Sequence, residues 1–138
     1  MAPPGVASRA VIAGVAKVVV PVSDQARAKE FWTNRAGFEL MEDRVYGGER
    51  WIEVASAEGG TVLVLSRPPT GYERSEVPEE LPDSPVFFLC ENLDETYEEL
   101  CDRGVEFPVP PVETDCGRWA LFADQDGTRY VLQQRERT

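Results

Sequence analysis

The sequence predicts a single α+β domain built from two tandem β-α-β-β-β modules. Three observations carry this expectation. The 138 residues are enough for one compact domain with its own core. An apolar strand, a capped helix, an Arg-Trp pair, a glycine-containing turn and a closing strand recur twice in the same order. The tryptophans of the two pairs, Trp51 and Trp119, stand 68 positions apart.

Residues 1–15 begin with a run rich in Pro, Ala and Gly and are expected to form a flexible segment. The first module, 16–66, opens with the strand Val18-Val19-Val20-Pro21-Val22. Ser23 or Asp24 caps a helix that carries Ala26, Ala28, Phe31, Trp32 and Arg35 and stops before Gly37. A strand near Phe38 to Asp43 follows, then a hairpin entered at Arg50-Trp51, a turn over 56–60, and the strand Thr61 to Leu65. A connector, 67–83, holds Pro68, Pro69, Pro78 and Pro82 among acids and reads as extended and surface-borne.

The second module, 84–134, repeats the plan. Val86 to Cys90 is its first strand, Asn92 caps its helix, and Leu93, Tyr97, Leu100 and Cys101 form the apolar stripe. Acids lie early in this helix, Arg103 lies late, and Gly104 ends it, as the helix dipole and the C-terminal glycine preference require. A strand near Val105 to Val109, the pair Arg118-Trp119 and the closing strand Thr128 to Leu132 complete the unit. Asp124-Gln125-Asp126-Gly127 reads as a three-residue hairpin loop with Gly127 left-handed.

Composition removes several function classes. Acids outnumber bases 25 to 14, a net charge of -11, so neither nucleic acid nor an anionic membrane is expected as a partner. Histidine is absent, which excludes a Ser-His-Asp triad, a Cys-His dyad and any His-ligated metal. Cys90, Cys101 and Cys116 form no CxxC pair, and their odd number argues against a disulfide framework. They read as reduced thiols acting as small buried hydrophobes, and the expected location is cytoplasmic. The apolar run after Arg9 is broken by Lys17 and continues into a strand, so it does not read as an export signal or a membrane span.

Three features carry a resemblance: Val22-Ser23-Asp24 leading to Phe31-Trp32 and Gly37-Phe38, Asp124-Gln125-Asp126-Gly127 before the last strand, and the duplication itself. Together they resemble the vicinal oxygen chelate superfamily of glyoxalase I, bleomycin-resistance proteins, fosfomycin-resistance enzymes and extradiol dioxygenases. That family usually has Phe-Tyr at Phe31-Trp32 and proline at Gln125. The resemblance implies the glyoxalase/bleomycin-resistance fold, with curved mixed sheets around a cavity, and a homodimer in which units pair across subunits. Enzymes of the family hold a divalent metal with His and Glu from four strand positions. These correspond here to Lys17, Val64, Pro85 and Val131. Valine and proline offer no ligand atom and lysine would have to be neutral, so no metal and no cofactor is expected, as in a metal-free bleomycin-resistance-like branch. A site made only of carboxylates is the alternative.

Alternation along the strands then selects a cavity face. Val62, Ser66, Arg129 and Gln133 share it with Val64 and Val131, and Phe87 and Leu89 share it with Pro85. Pairing Asp124 with Thr128 sets Leu121 opposite Val131, and Trp119 follows Leu121; the repeat places Trp51 and Glu53 in the same way. The expected ligand-binding residues are therefore Trp51, Trp119, Phe87, Leu121, Glu53, Lys17 and Arg129. The expected function is sequestration of an aromatic or cationic organic molecule such as an antibiotic, a role in antibiotic resistance. The alternative is a metal-independent lyase, isomerase or cyclase with Lys17 or Glu53 as acid or base; a module with no small ligand is a third reading. Lys17 and Glu53 read equally as a salt bridge, the two tryptophans equally as core fillers, and Trp32 as a core residue.

Overall fold

The computed structural model describes residues 11–68 and 77–136. Residues 1–10 and 69–76, which hold most of the expected flexible segment and the middle of the expected connector, lie outside the described residues. The first module runs β1 (Lys17–Pro21), α1 (Gln25–Glu30), β2 (Glu39–Tyr46), β3 (Glu49–Ala55) and β4 (Val62–Ser66). The second runs β5 (Phe87–Cys90), α2 (Leu93–Asp102), β6 (Glu106–Thr114), β7 (Gly117–Ala123) and β8 (Arg129–Gln134). The two predicted β-α-β-β-β units are both present.

Each module folds into a four-stranded mixed sheet, in strand order β1-β4-β3-β2 and β5-β8-β7-β6. The first strand of each unit runs parallel to its last, and the other neighbours are antiparallel. Each helix and the hairpin after it supply the long connection that a parallel pair requires. Register shifts bend the outer strands β2 and β6. β6 also carries Pro108, Pro110 and Pro111, which withhold N–H donors from an edge that would otherwise recruit another strand.

Local chemistry explains the helix ends. The Arg27 N–H donates to Asp24 Oδ1 at 3.0 Å, so Asp24 rather than Ser23 is the cap of α1. The Glu95 N–H donates to Asn92 Oδ1 at 3.1 Å in the same role on α2. α1 continues as a π-helical turn, Phe31–Arg35, closed by the Ala36 N–H on the Phe31 carbonyl. That wider turn absorbs Ala36, which has no counterpart between Arg103 and Gly104. It also directs Phe31 and Trp32, adjacent in sequence, into the core together.

The core sits between the two sheets. Val20, Ile52, Val54, Leu63 and Leu65 of the first sheet and Ala120, Phe122, Tyr130 and Leu132 of the second belong to one buried cluster with Ala28, Phe31, Trp32 and Leu93 of the helices. Trp32 is its centre, with ring centroids of Phe31, Phe38, Phe88 and Tyr130 5.3–5.5 Å away. Phe88 and Tyr130 belong to the second module, so Trp32 joins the halves.

Some expectations need adjustment. β5 begins at Phe87, because Pro85 lies in a bend. β2 and β6 run on to two-residue turns at Gly47-Gly48 and Asp115-Cys116, longer than their apolar runs suggested. Cys101 and Cys116 are exposed rather than buried, since Cys101 lies in the last turn of α2 and Cys116 in the turn between β6 and β7; only Cys90 is partly covered. Among the described residues no helix is long and apolar enough to cross a membrane.

Candidate functional site

Strand alternation sends one set of each sheet's side chains away from the shared core. On the first sheet Val19, Val64 and Glu53 form one row across β1, β4 and β3. On the second, Phe87, Val131 and Leu121 form the matching row across β5, β8 and β7. The Asp124 N–H donates to the Thr128 carbonyl at 3.0 Å, and Gly127 takes φ +77, a backbone that a side chain would strain. This turn fixes Leu121 opposite Val131, the register the sequence predicts. Val64, Leu121 and Val131 are buried, so each outer face has an apolar floor.

Trp51 and Trp119 stand at equivalent places beside these floors, both half-buried. The Arg of each Arg-Trp pair points the other way and fastens a helix to its sheet. Arg50 donates to Asp43 from Nε and Nη2, and Asp43 also accepts from Lys29 of α1; Arg118 Nη2 donates to Asp94 of α2 at 2.6 Å. These bonds hold the Asp43 carboxyl well below the usual carboxylate range. One dipeptide thus anchors the helix on one face and presents an indole on the other. That division of labour was readable from alternation, yet only its tryptophan half was anticipated.

The first outer face carries the charge. Lys17 Nζ donates to Glu53 Oε2 at 2.6 Å, and the Trp51 Nε1–H donates to the same oxygen at 2.6 Å. The ammonium also lies 5.8 Å from the Trp51 ring centroid, a cation-π distance. The Glu53 side chain is 9% exposed and the Lys17 side chain 48%. The hydrogen bond from Lys17, then that from Trp51, hold the Glu53 carboxyl below its ordinary value, and Glu53 in turn raises the Lys17 ammonium. On the second face Leu121 stands where Glu53 stands on the first, and the Trp119 Nε1–H donates to Thr114 Oγ1 at 3.1 Å.

Of the expected site residues, Lys17, Glu53 and Trp51 meet on the first sheet, and Phe87, Leu121 and Trp119 lie on the second. The two groups are on opposite sides of the shared core, so one chain does not bring both indoles to one cavity. Contacts between modules run from the helix side instead, through Trp32 with Phe88 and through Arg35 Nη1 donating to the Gly104 carbonyl at 3.3 Å. Arg129 is turned to the connector: its Nε and Nη2 donate to Asp83 at 3.1 and 3.0 Å, and Nη2 also donates to the Val77 carbonyl at 3.2 Å. Asp83 is the partner that sequence reasoning missed, because nothing local marks a contact 46 residues away.

The positions that the resemblance assigns to metal ligands, Lys17, Val64, Pro85 and Val131, carry side chains that do not fit a metal ion. Val64 and Val131 are buried valines, Pro85 precedes its strand, and Lys17 is held as an ammonium by Glu53. Glu53 is the neighbouring carboxylate, and two donors already occupy one of its oxygens. Among the described residues no three His, Cys, Asp or Glu side chains gather as a metal site.

Known proteins share this architecture. A model of the Glyoxalase/Bleomycin resistance protein/Dioxygenase superfamily matches residues 14–132. The uncharacterised protein YetH of Bacillus subtilis (strain 168) is 35% identical over 87% of this chain and 97% of its own length. TnmS3, an antibiotic binding protein from Streptomyces sp. CB03234, superposes with a TM-score of 0.77 at 33% identity, covering 91% of this chain and 98% of that one. A superfamily member from Sphaerobacter thermophilus DSM 20745 gives a TM-score of 0.75 at 31% identity, over 90% and 98% of the two chains.

Proposed function

Since the chain belongs to the Glyoxalase/Bleomycin resistance protein/Dioxygenase superfamily, we propose that it is a metal-free binding protein of the bleomycin-resistance type that sequesters an aromatic organic ligand such as an antibiotic. The observation that carries this reading is the pair Trp51 and Trp119, each half-buried beside an apolar floor on an outward sheet face. Indole faces offer a planar ligand a large, rigid stacking surface. The Lys17 ammonium already holds the cation-π position at Trp51, which favours a neutral or acceptor-rich aromatic over a cation there. The likeness to TnmS3 supports the same class of ligand.

The pocket of this reading needs two chains. Val19 and Phe87 are 59% exposed and Leu89 47%, an unusual amount of large apolar surface on edge strands. In a homodimer the Trp51 face of one protomer meets the Trp119 face of its partner, and two equivalent cups result. Binding without chemistry also suits the charges. The ion pair keeps Glu53 deprotonated and Lys17 protonated far from neutral pH, where neither exchanges a proton as a general acid or base must. The metal-independent enzyme reading is weaker on that ground.

Titration with bleomycin and with planar aromatic antibiotics, followed by tryptophan fluorescence, tests the proposal. Saturable quenching without added metal is expected, and Trp119→Ala should weaken it about tenfold, the equivalent of roughly 1.4 kcal/mol. Trp119→Phe should recover part of the affinity. Unchanged affinity in a folded Trp119→Ala protein would contradict the assignment.

A further inference from the structure

On the first outer face, hydrogen-bonding capacity is left over beside the apolar floor. Both bonds of the charged cluster end on one carboxylate oxygen: Lys17 Nζ and the Trp51 Nε1–H each donate to Glu53 Oε2 at 2.6 Å. Glu53 Oε1 accepts no bond from any described residue. Among the described residues the sealed side-chain polar atoms without a partner are Trp32 Nε1 and Gln125 Oε1, so Glu53 Oε1 keeps contact with solvent. Lys17 commits one of its three N–H donors to Glu53, and its side chain is 48% exposed. A donor and an acceptor thus stand side by side at the edge of the half-buried Trp51 indole. The second face carries no such pair, because the positions 68 residues on from Lys17 and Glu53 are Pro85 and Leu121.

The pair constrains what can lie on it. A ligand that covers Glu53 Oε1 without offering a donor leaves a carboxylate oxygen dehydrated and unpaired, which is costly. A cation meets the Lys17 ammonium. An anion meets Glu53 and also Glu42, which stands opposite Glu53 on β2 and accepts the Tyr46 hydroxyl. A neutral primary amide or lactam avoids each of these costs. Its C=O and N–H lie along one planar edge, so the carbonyl accepts from Lys17 Nζ while the N–H donates to Glu53 Oε1. Attached to an aromatic ring, that edge lies close to the plane of the surface that stacks on Trp51. Resting on the binding role given above, we propose that the Lys17–Glu53 pair recognises a primary carboxamide or lactam on the aromatic ligand and so determines the specificity of the Trp51 face.

The test titrates the ¹⁵N-labelled full chain with naphthalenes that share a ring and differ at one edge: 2-naphthamide, 2-acetonaphthone, 2-ethylnaphthalene and 2-naphthoate. The Trp51 indole N–H resonance reports the pair directly, since that N–H is bonded to Glu53 Oε2. It should shift saturably with 2-naphthamide, at an affinity about tenfold above that of the ketone, which offers an acceptor alone, and above that of the anion. Lys17→Met keeps an apolar stem; it should weaken 2-naphthamide about tenfold and leave 2-ethylnaphthalene unchanged. A loss shared by both probes would mean that the ion pair merely props Trp51, and would overturn the proposal. Equal affinity of the unaltered chain for amide, ketone and hydrocarbon would overturn it as well, while leaving aromatic sequestration intact. No saturable shift at Trp51 with 2-naphthamide would also overturn it, and the antibiotic titration decides the proposed function independently.

Discussion

Glu53 and Leu121 occupy equivalent places, as do Lys17 and Pro85, and these two differences make one outer face charged and the other apolar. Because its partners depress the Glu53 pKa in the folded chain, the ion pair stabilises fully above the ordinary carboxylate range. That contribution is lost as the pH falls through the lower, folded value. Glu53→Gln should therefore melt below the wild type at pH 7, and the gap should close as the pH is lowered below the ordinary carboxylate range. Thermal unfolding across that range checks this, and a gap independent of pH would contradict it. The side-chain directions behind this argument were legible beforehand, since strand alternation and the hairpin register fix them. The pairing of Arg129 with Asp83 was not, because it depends on how the connector folds back.

Among the elements, the π-helical extension of α1 joins the halves through Trp32. Trp32 is fully buried and meets aromatic rings of both modules. Trp32→Ala should cost about 3–5 kcal/mol by the cavity it leaves, measured by denaturant unfolding; a loss below about 1 kcal/mol would mean that the halves are held elsewhere. Both helices were readable from caps, apolar spacing and terminal glycines. The π turn was not, because a one-residue difference between two repeats reads as a loop change as easily as a wider helical turn. Gly104 shows the same limit. A Cβ there would lie 3.0 Å from Arg35 Nη1, a constraint set by the other module and invisible to local pattern.

For the whole molecule, the duplication disclosed the architecture but not which faces of the two sheets meet. Both faces of these strands are apolar enough to be buried, so patterning alone left open that the shared core would take the helix side and turn the tryptophan faces outward. Under the proposed function, that arrangement requires a second chain to complete each cup. Light scattering at micromolar concentration should give twice the 15.4 kDa chain mass, and the mass of a single chain would remove the shared cup. The central claim, a metal-free site for an organic ligand, is tested most directly by native mass spectrometry of untagged protein purified from its own cells. The account predicts a dimer carrying organic adducts of small-molecule mass and no stoichiometric transition metal. A chain that retains one transition-metal ion and no organic molecule would contradict it.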